Sequence, residues 1–289
     1  MTSSLQQLTM PEYARIHSLQ GHKIRLVGAV YWREVRPLFY RPVFPYAAVK
    51  VESGLAPCRL LGGYQHAVEK DQRSNSSIDF RIYDRCSEYT LASQSREHRR
   101  SIRAGGKHFT VKRITTAEEL TRLGHALYLS FYQRTRYGYL SQRVERDEFH
   151  QWAASLFDCP KTIVLGAFAM QALKAVAVCY WIDRVLVYGT FFSDDSSLKH
   201  QVGDLMLHAV RELAAQQTGI DKILAGMYGG GAGPDRFDLM RGAKVERVPA
   251  CFVLHPAMMG RLIRTFAPSS FSRLRGTFEA STAPTRVAS

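Results

Sequence analysis

Apolar and polar positions alternate with a short period in the first third of the chain, which predicts strands. Two runs rich in valine, tyrosine, phenylalanine and arginine are punctuated by prolines, and two further strand-like runs follow on either side of a polar loop. Because proline cannot donate to a ladder, some of these strands are expected at a sheet edge. The predicted strands cover residues 24–35, 39–51, 58–68 and 78–83.

The pattern changes to helical spacing after residue 86. Residues 88–104 place apolar positions along one side, and Gly105 and Gly106 are expected to end this helix. Thr115, followed three residues later by Glu118, has the form of a capping box and predicts a helix that runs to residue 134. A strand at 109–114 and a helix at 146–157 complete this part.

Strands and helices follow one another regularly from residue 161 onward. Three apolar runs predict antiparallel strands, and a helix, a strand, a short helix and a last strand come after them. In order, these elements cover residues 162–170, 173–182, 185–193, 203–217, 221–227, 234–241 and 245–254. The predicted organisation is a β-rich N-terminal half at 1–86, a main domain at 87–256 and a basic C-terminal tail at 257–289.

A polar loop joins the third of these strands to the long helix. Gly203 stands where the helix begins and would let phosphate groups approach the amides of the first helical turn. An ordinary strand-to-helix turn gives the same pattern, so both interpretations stay open. The candidate phosphate-binding residues are His200, Gln201, Val202, Gly203 and Asp204.

Composition adds two constraints on partners and compartment. The 289 residues contain 39 lysines and arginines against 25 acidic residues, and this net charge of +14 favours an anionic partner or a generally basic surface. The five cysteines are scattered without a Cys-x-x-Cys pair, which is typical of a reducing compartment and argues against a zinc site. Neither a secretory signal nor a membrane-spanning apolar run is recognisable. We therefore expect a cytoplasmic protein that binds no metal.

The order of elements from residue 162, with the loop at 200–205, resembles the GNAT acyltransferase fold. That family's loop reads Gln or Arg, two residues, Gly, one residue, then Gly or Ala; here Gly203 matches, while His200 and Leu205 replace the outer positions. The resemblance implies acyl-CoA as co-substrate, with its pyrophosphate on the helix start. Its pantetheine arm would pair with a strand edge that splays from its neighbour, at Phe191, Phe192 and Ser193.

Two further segments carry a more specific resemblance. One runs from Ser95 to Ala104 and contains the His-Arg-Arg sequence that begins at His98. The other runs from Asp235 to Ala243. Both are similar to segments of FemAB-like proteins, which are built from GNAT-type halves and transfer aminoacyl or acyl groups to amines.

One departure from the FemAB-like pattern bears on the acceptor. Asp238 stands where that family usually has lysine, and Arg241 replaces an aromatic residue. If the lysine meets a substrate phosphate or carboxylate in relatives, this chain uses a different acceptor.

Taken together, the resemblances imply an α+β (mixed α/β) protein with the GNAT fold. A central, twisted, mostly antiparallel sheet would carry flanking helices, and a smaller β-rich, GNAT-like half would precede it. The resemblances cover about residues 88–256 and match the first third only as a shortened second half.

Acyl transfer to an amine needs a polarised carbonyl, a neutral amine and a proton for the leaving group. Tyr228, which opens a glycine-rich loop after a strand, is the candidate proton donor, because Leu239 occupies the family's more usual tyrosine position. Asp195 is the candidate acceptor of the amine proton. A core or rim tyrosine and an acid in a solvated turn are the structural alternatives.

Three arginines of the His-Arg-Arg segment, Arg99, Arg100 and Arg103, lie within one or two helical turns. Guanidinium groups suit phosphates and carboxylates, so these residues are candidates for substrate binding. Tyr137, in a loop that interleaves aromatic and basic residues, is a further candidate. A solvated basic face and a partly buried loop are the alternatives.

The sequence therefore predicts an N-acyltransferase that transfers an acyl group from acyl-CoA directly to an amine. The acceptor would be a small molecule or a cell-envelope precursor, and no DNA is expected. The basic tail would dock on the domain or contact a membrane peripherally. Two alternatives stay open: aminoacyl-tRNA as the donor, or a non-catalytic basic module that binds RNA or a membrane.

Overall fold

A computed structural model describes residues 5–51, 55–58, 60–135, 138–230, 233–256, 260, 264–266 and 271. The predicted α+β class, with a mostly antiparallel sheet and flanking helices, is confirmed. The helices are α1 (Met10–Leu19), α2 (Arg96–His108), α3 (Ala117–Thr135), α4 (Arg146–Phe157), α5 (Asp195–Lys199), α6 (Val202–Ala215) and α7 (Pro234–Met240). The strands are β1 (Ile24–Val27), β2 (Val30–Arg36), β3 (Phe39–Pro42), β4 (Gly62–Ala67), β5 (Ser76–Tyr83), β6 (Thr110–Arg113), β7 (Ile163–Ala169), β8 (Ala172–Ile182), β9 (Val185–Ser193), β10 (Lys222–Met227) and β11 (Lys244–His255).

The described residues divide into two compact units. Unit 1 lies within Met1–His22 and Phe80–Glu246, and unit 2 lies within Lys23–Asp79 and Arg247–Ser289. The tail at 257–289, for which docking or membrane contact was expected, falls almost entirely outside the described residues.

In unit 1 the strands follow the order β5-β10-β9-β8-β7-β6. All neighbours are antiparallel except β9 and β10, which run parallel. Strand β8 is a nearly continuous apolar run that is buried along most of its length, as expected for a strand covered on both faces. Helices α2 and α6 pack against each other on one side of these strands. Helices α3 and α4 also contact each other, and α3 contacts β9.

In unit 2 the strand order is β1-β2-β3-β4-β11. A tight turn with Gly28 at φ +61° joins β1 to β2, and glycine suits this left-handed backbone. Trp32, Tyr40 and Tyr64 form the buried centre of this unit. Four of the five strands in this unit come from the first third of the chain, for which the sequence predicted strands.

The helix predicted at 88–104 is wrong at both ends. Helix α2 begins at Arg96, because Ser95 is its N-cap and accepts a hydrogen bond from the amide of His98. The two glycines lie inside the helix rather than after it. Gly105 is required there because a Cβ would lie 2.9 Å from the carbonyl oxygen of Gln201 on the chain entering α6.

The predicted capping box before α3 is displaced by one residue. The hydroxyl of Thr116, not Thr115, accepts a hydrogen bond from a first-turn amide, that of Glu119 (3.2 Å). The predicted bounds of α4 and β9 are confirmed at both ends. Within the described part of the chain, no helix has both the length and the apolar character needed to cross a bilayer.

Candidate functional site

The parallel strands β9 and β10 separate toward their C-terminal ends. Residues 185–187 pair with residues 222–224, and the described structure contains no β9–β10 pair beyond them. Gly189 is an extra residue of β9 in its ladder with β8, since Val178 faces Thr190 whereas Cys179 faces Tyr188. A bulge bends its strand, and this one lies just beyond the last residue that pairs with β10.

Strand β9 remains paired with β8 as far as Ser193, which faces Ala175. An opening between strands 173–182 and 185–193 beside His200, where the sequence suggested it, is therefore wrong, and the strand pair whose pairing stops early is β9 and β10. An opening between two parallel strands exposes the backbone edge of each, so an extended ligand arm has hydrogen-bonding groups available there.

Both candidate catalytic residues follow the C-terminal ends of these strands. Asp195 opens α5 two residues after β9, and Tyr228 directly follows β10. The carboxyl ends of parallel strands meet at one edge of a sheet, which is where ligands of such sheets bind. Asp195 is exposed, with Oδ1 3.3 Å from Nη1 of Arg134, and Tyr228 is half-buried.

The loop that carries Tyr228 is tied to a buried ion-pair cluster. Nη1 of Arg81, on β5, lies 2.7 Å from Oδ2 of Asp238, and its Nε lies 3.1 Å from Oδ1 of Asp235. The other oxygen of Asp235 accepts a hydrogen bond from the amide of Gly229 at 2.8 Å. The residue after Tyr228 is thus held by α7 and, through it, by β5.

Asp238 occupies an unusual electrostatic position. Its Oδ1 accepts a hydrogen bond from the hydroxyl of Tyr83 at 2.9 Å, and burial raises its pKa although Arg81 and Tyr83 act in the opposite direction. Burial, followed by the nearby Asp238 carboxylate, raises the pKa of the Tyr83 hydroxyl well above its ordinary value. Asp238 is therefore a buried, partnered acid.

The start of α6 is enclosed by protein. Val202, Gly203 and Asp204 are buried, and a Cβ on Gly203 would lie 3.3 Å from the ring of Phe237. Asp204 forms a bidentate pair with Arg241, at 2.7 and 2.8 Å, and that guanidinium lies over the Phe237 ring. Arg241 thus compensates the negative charge that the sequence places beside the predicted phosphate site.

The two residues before α6 differ in exposure and role. His200 is exposed, and its ring centroid lies 4.4 Å from that of His108 at the end of α2. Gln201 is the N-cap of α6 with a left-handed backbone, φ 62°. Of the predicted set, His200 is therefore the side chain most accessible to a ligand.

The three predicted residues of β9 differ in their surroundings. Phe192 is fully buried and packs among Tyr128, Phe149 and Trp152, so its side chain belongs to the core and only its backbone remains for a ligand. Phe191 is half-buried and packs against the core cluster that contains the inner face of α6. The Oγ of Ser193 is buried and has no hydrogen-bond partner among the described residues.

The predicted substrate-binding arginines divide into two kinds. Arg99 donates to the backbone carbonyls of Ala92 (3.0 Å) and Gln94 (2.8 Å), so it braces the turn before α2. Arg100 and Arg103 are exposed. Tyr137 lies outside the described residues.

The sequence patterns did not identify several polar residues of β5, α6 and α7. These are Arg81 and Tyr83 on β5, Asp235 on α7, and Arg211 on α6. One signal was available: Asp235 and Asp238 are three residues apart on a helix, a spacing that puts both carboxylates on one face.

No protein-family model matches the chain, and no curated protein matches it. Solved structures do. FemX has 12% identity, covers 90% of this chain and 94% of its own, and gives a TM-score of 0.57. L-PGS from Bacillus licheniformis has 11% identity, 95% and 94% coverage and a TM-score of 0.53. A conserved protein of unknown function from Bacteroides thetaiotaomicron has 11% identity, 88% and 94% coverage and a TM-score of 0.55.

Identities this low establish the fold and leave the reaction to be argued from the site. The matches cover nearly the whole of both chains, and the strands, the β9–β10 opening and the helix that follows β9 occur in the predicted order. The chain therefore has the GNAT-type fold of the FemAB-like proteins.

Proposed function

We propose that this chain is an N-acyltransferase that moves an acyl or aminoacyl group from an activated thioester or ester to an amine. The observation that carries the proposal is the opening between β9 and β10, with Asp195 and Tyr228 after the C-terminal ends of its two strands. In the GNAT-type fold, as the sequence resemblance implies, the acyl donor lies in this opening.

The proposed reaction is a direct transfer. The neutral amine nitrogen attacks the donor carbonyl carbon, a C–N bond forms, and the carbon–sulfur or carbon–oxygen bond of the donor breaks. Tyr228 donates its hydroxyl proton to the leaving atom and regains one from solvent, while the carboxylate of Asp195 takes the proton that the amine releases. A backbone amide near Phe192 or Ser193 would stabilise the negative charge on the carbonyl oxygen.

Acyl-CoA is the first donor to test. Its pantetheine arm would follow the free edge of β9 at residues 191–193, and its phosphates would lie beside the exposed His200, because Val202, Gly203 and Asp204 at the start of α6 are buried. Two features support this: His200 is exposed, and the charge of Asp204 is compensated by Arg241. Arg100 and Arg103 would serve the acceptor, which we propose to be a small-molecule or cell-envelope-precursor amine.

Aminoacyl-tRNA is a second candidate donor, and the exposed face of α2 favours it. Arg96, Arg100, Arg103 and Lys107 are all exposed, at successive spacings of four, three and four residues. They therefore form a basic stripe about 16 Å long on one helix face. Such a stripe suits a phosphate backbone, and binding that weakens steeply with salt would support this donor.

The test measures acylated product by mass spectrometry after incubation with acetyl-CoA, or with aminoacyl-tRNA, and a panel of amines. Tyr228→Phe should lower kcat with little effect on donor affinity. Tyr31→Phe, a half-buried tyrosine of unit 2, is the matched control. A donor that binds the folded state must also raise the melting temperature. If neither donor yields product or raises the melting temperature, the proposal is wrong.

A further inference from the structure

A small open cleft lies between α2, α6 and the turn that precedes α2, all within unit 1. The polar residues that line it are Tyr89, Gln94, His98, Asp204, His208, Arg211 and Arg241. His98 and Arg241 come from the two separate segments that the sequence analysis singled out. Asp204 and Arg241 adjoin the donor site proposed above, and the other side chains have no part in the transfer reaction.

Arg211 is the central residue of this cleft. Its guanidinium lies between two aromatic rings, 4.0 Å from the centroid of Tyr89 and 4.9 Å from that of Tyr83. Nη1 donates to the side-chain oxygen of Gln94 (3.0 Å) and to the carbonyl of Arg241 (3.2 Å), both of which are uncharged acceptors. Within the described residues, Nε and Nη2 have no acceptor.

The acid that acts electrostatically on Arg211, Asp84, forms its own ion pair with Lys244. No carboxylate of the described residues forms an ion pair with it, whereas Arg241 beside it is paired with Asp204. Burial lowers the pKa of Arg211, although the nearby Asp84 carboxylate acts in the opposite direction. Burial also lowers the pKa of His208, which keeps that ring neutral at pH 7. Of the two arginines that line the cleft, Arg211 is therefore the one without an ion-pair partner among the described residues.

We propose that this cleft binds the carboxylate group of a small molecule, with Arg211 as the principal contact. A carboxylate would give Arg211 the ion-pair partner that it lacks among the described residues. Its two oxygens also fit the Nε and Nη2 donors of one guanidinium. The cleft is small, so it takes a single charged group while the rest of the ligand lies outside. This site is separate from the donor opening, and its test requires no transferase activity.

Titration of the protein with acetate, followed by NMR of the histidine Cε1 protons, tests the inference. Acetate should shift the resonances of His98 and His208 saturably and raise the pKa of His208, because a bound anion stabilises the imidazolium. Sodium chloride at equal ionic strength should produce no saturable shift of these resonances. Both measurements use the unaltered protein, so they do not depend on the folding of any variant.

Two variants then assign the contact. Arg211→Gln should weaken acetate binding about tenfold or more, because the two charged donors are lost. Arg122→Gln, an exposed arginine of α3, removes the same charge and should leave binding within about twofold. The inference is overturned if acetate produces no saturable shift, if chloride reproduces it, or if folded Arg211→Gln binds acetate as tightly. Tighter binding of inorganic phosphate than of acetate would overturn the carboxylate assignment.

Discussion

The substitution Asp238→Asn tests whether the buried ion-pair cluster around Arg81 stabilises unit 1. The substitution keeps the side chain's size but removes the charge that faces Nη1 of Arg81 at 2.7 Å. It also replaces one acceptor oxygen by a donor, so either Arg81 or Tyr83 faces another N–H group. Breaking a buried ion pair from one side costs about 3–5 kcal/mol. Because Asp235 still pairs with Arg81, we expect a loss of about 2 kcal/mol in the free energy of unfolding.

The pH dependence of this loss has a definite sign. Burial raises the pKa of Asp238 in the folded protein, so the folded state keeps this proton at pH values where the unfolded chain has released it. The contribution of the group is therefore complete below the unfolded pKa, about 3.9, and declines as the pH rises through the folded value. The asparagine variant has no ionisable group at position 238. The difference in the free energy of unfolding between the wild type and the variant should therefore be larger near pH 4 than near pH 8.

Urea unfolding followed by circular dichroism at several pH values between these limits measures the loss. Asp183→Asn is the matched control: Asp183 is exposed, and its left-handed backbone, φ 50°, is one that asparagine also adopts readily. A loss below about 0.5 kcal/mol at pH 8 would contradict the assigned role of the ion pair. A loss that grows with pH would contradict the raised pKa.

Three further predictions concern packing, backbone and surface charge. Phe192→Ala should cost about 3–5 kcal/mol in urea unfolding because it empties an aromatic core, whereas Phe266→Ala, 82% exposed, should cost little. Gly226→Ala should lower the melting temperature, since its φ is +120° and a Cβ would lie 2.8 Å from a buried guanidinium; Gly106→Ala, in open space on a helix, should raise it. Hydrogen bonds lower the pKa of Glu12 to about 2, so its contribution should be lost as the pH falls from about 4.5 toward 2; Glu12→Gln should remove that part of the acid sensitivity.

Local sequence patterns predicted the elements whose ends are set by local chemistry. Strand β9 is a continuous apolar run that stops at two aspartates, and α4 has regular helical spacing, so both bounds are confirmed. Helix α2 was misplaced because apolar spacing continues through residues 88–95, although Ser95 caps the helix. Its internal Gly105 reflects a contact with α6, which no local pattern encodes.

The candidate site was predictable only where its residues lie together in one short segment of the sequence. The strand, loop and helix around Gly203 are contiguous, and Tyr228 follows a strand directly, so each could be proposed from the sequence. The ion pair of Arg81 with Asp238 joins residues that are 157 positions apart. A buried strand arginine reveals nothing about its partner until the fold brings β5 beside β10.

The ion pair between Arg81 and Asp238 couples the identity of residue 238 to that of residue 81. A lysine there would bring a second cation against Arg81, whose guanidinium lies 2.7 Å from the present carboxylate. Two buried like charges at such a distance are strongly unfavourable, so Asp238 and Arg81 must be considered as one unit. The charges of Arg81 and Asp238 thereby compensate each other. If the chain binds an anionic acceptor, the charge for it must come from elsewhere, and Arg100 and Arg103 on the exposed face of α2 are available for it.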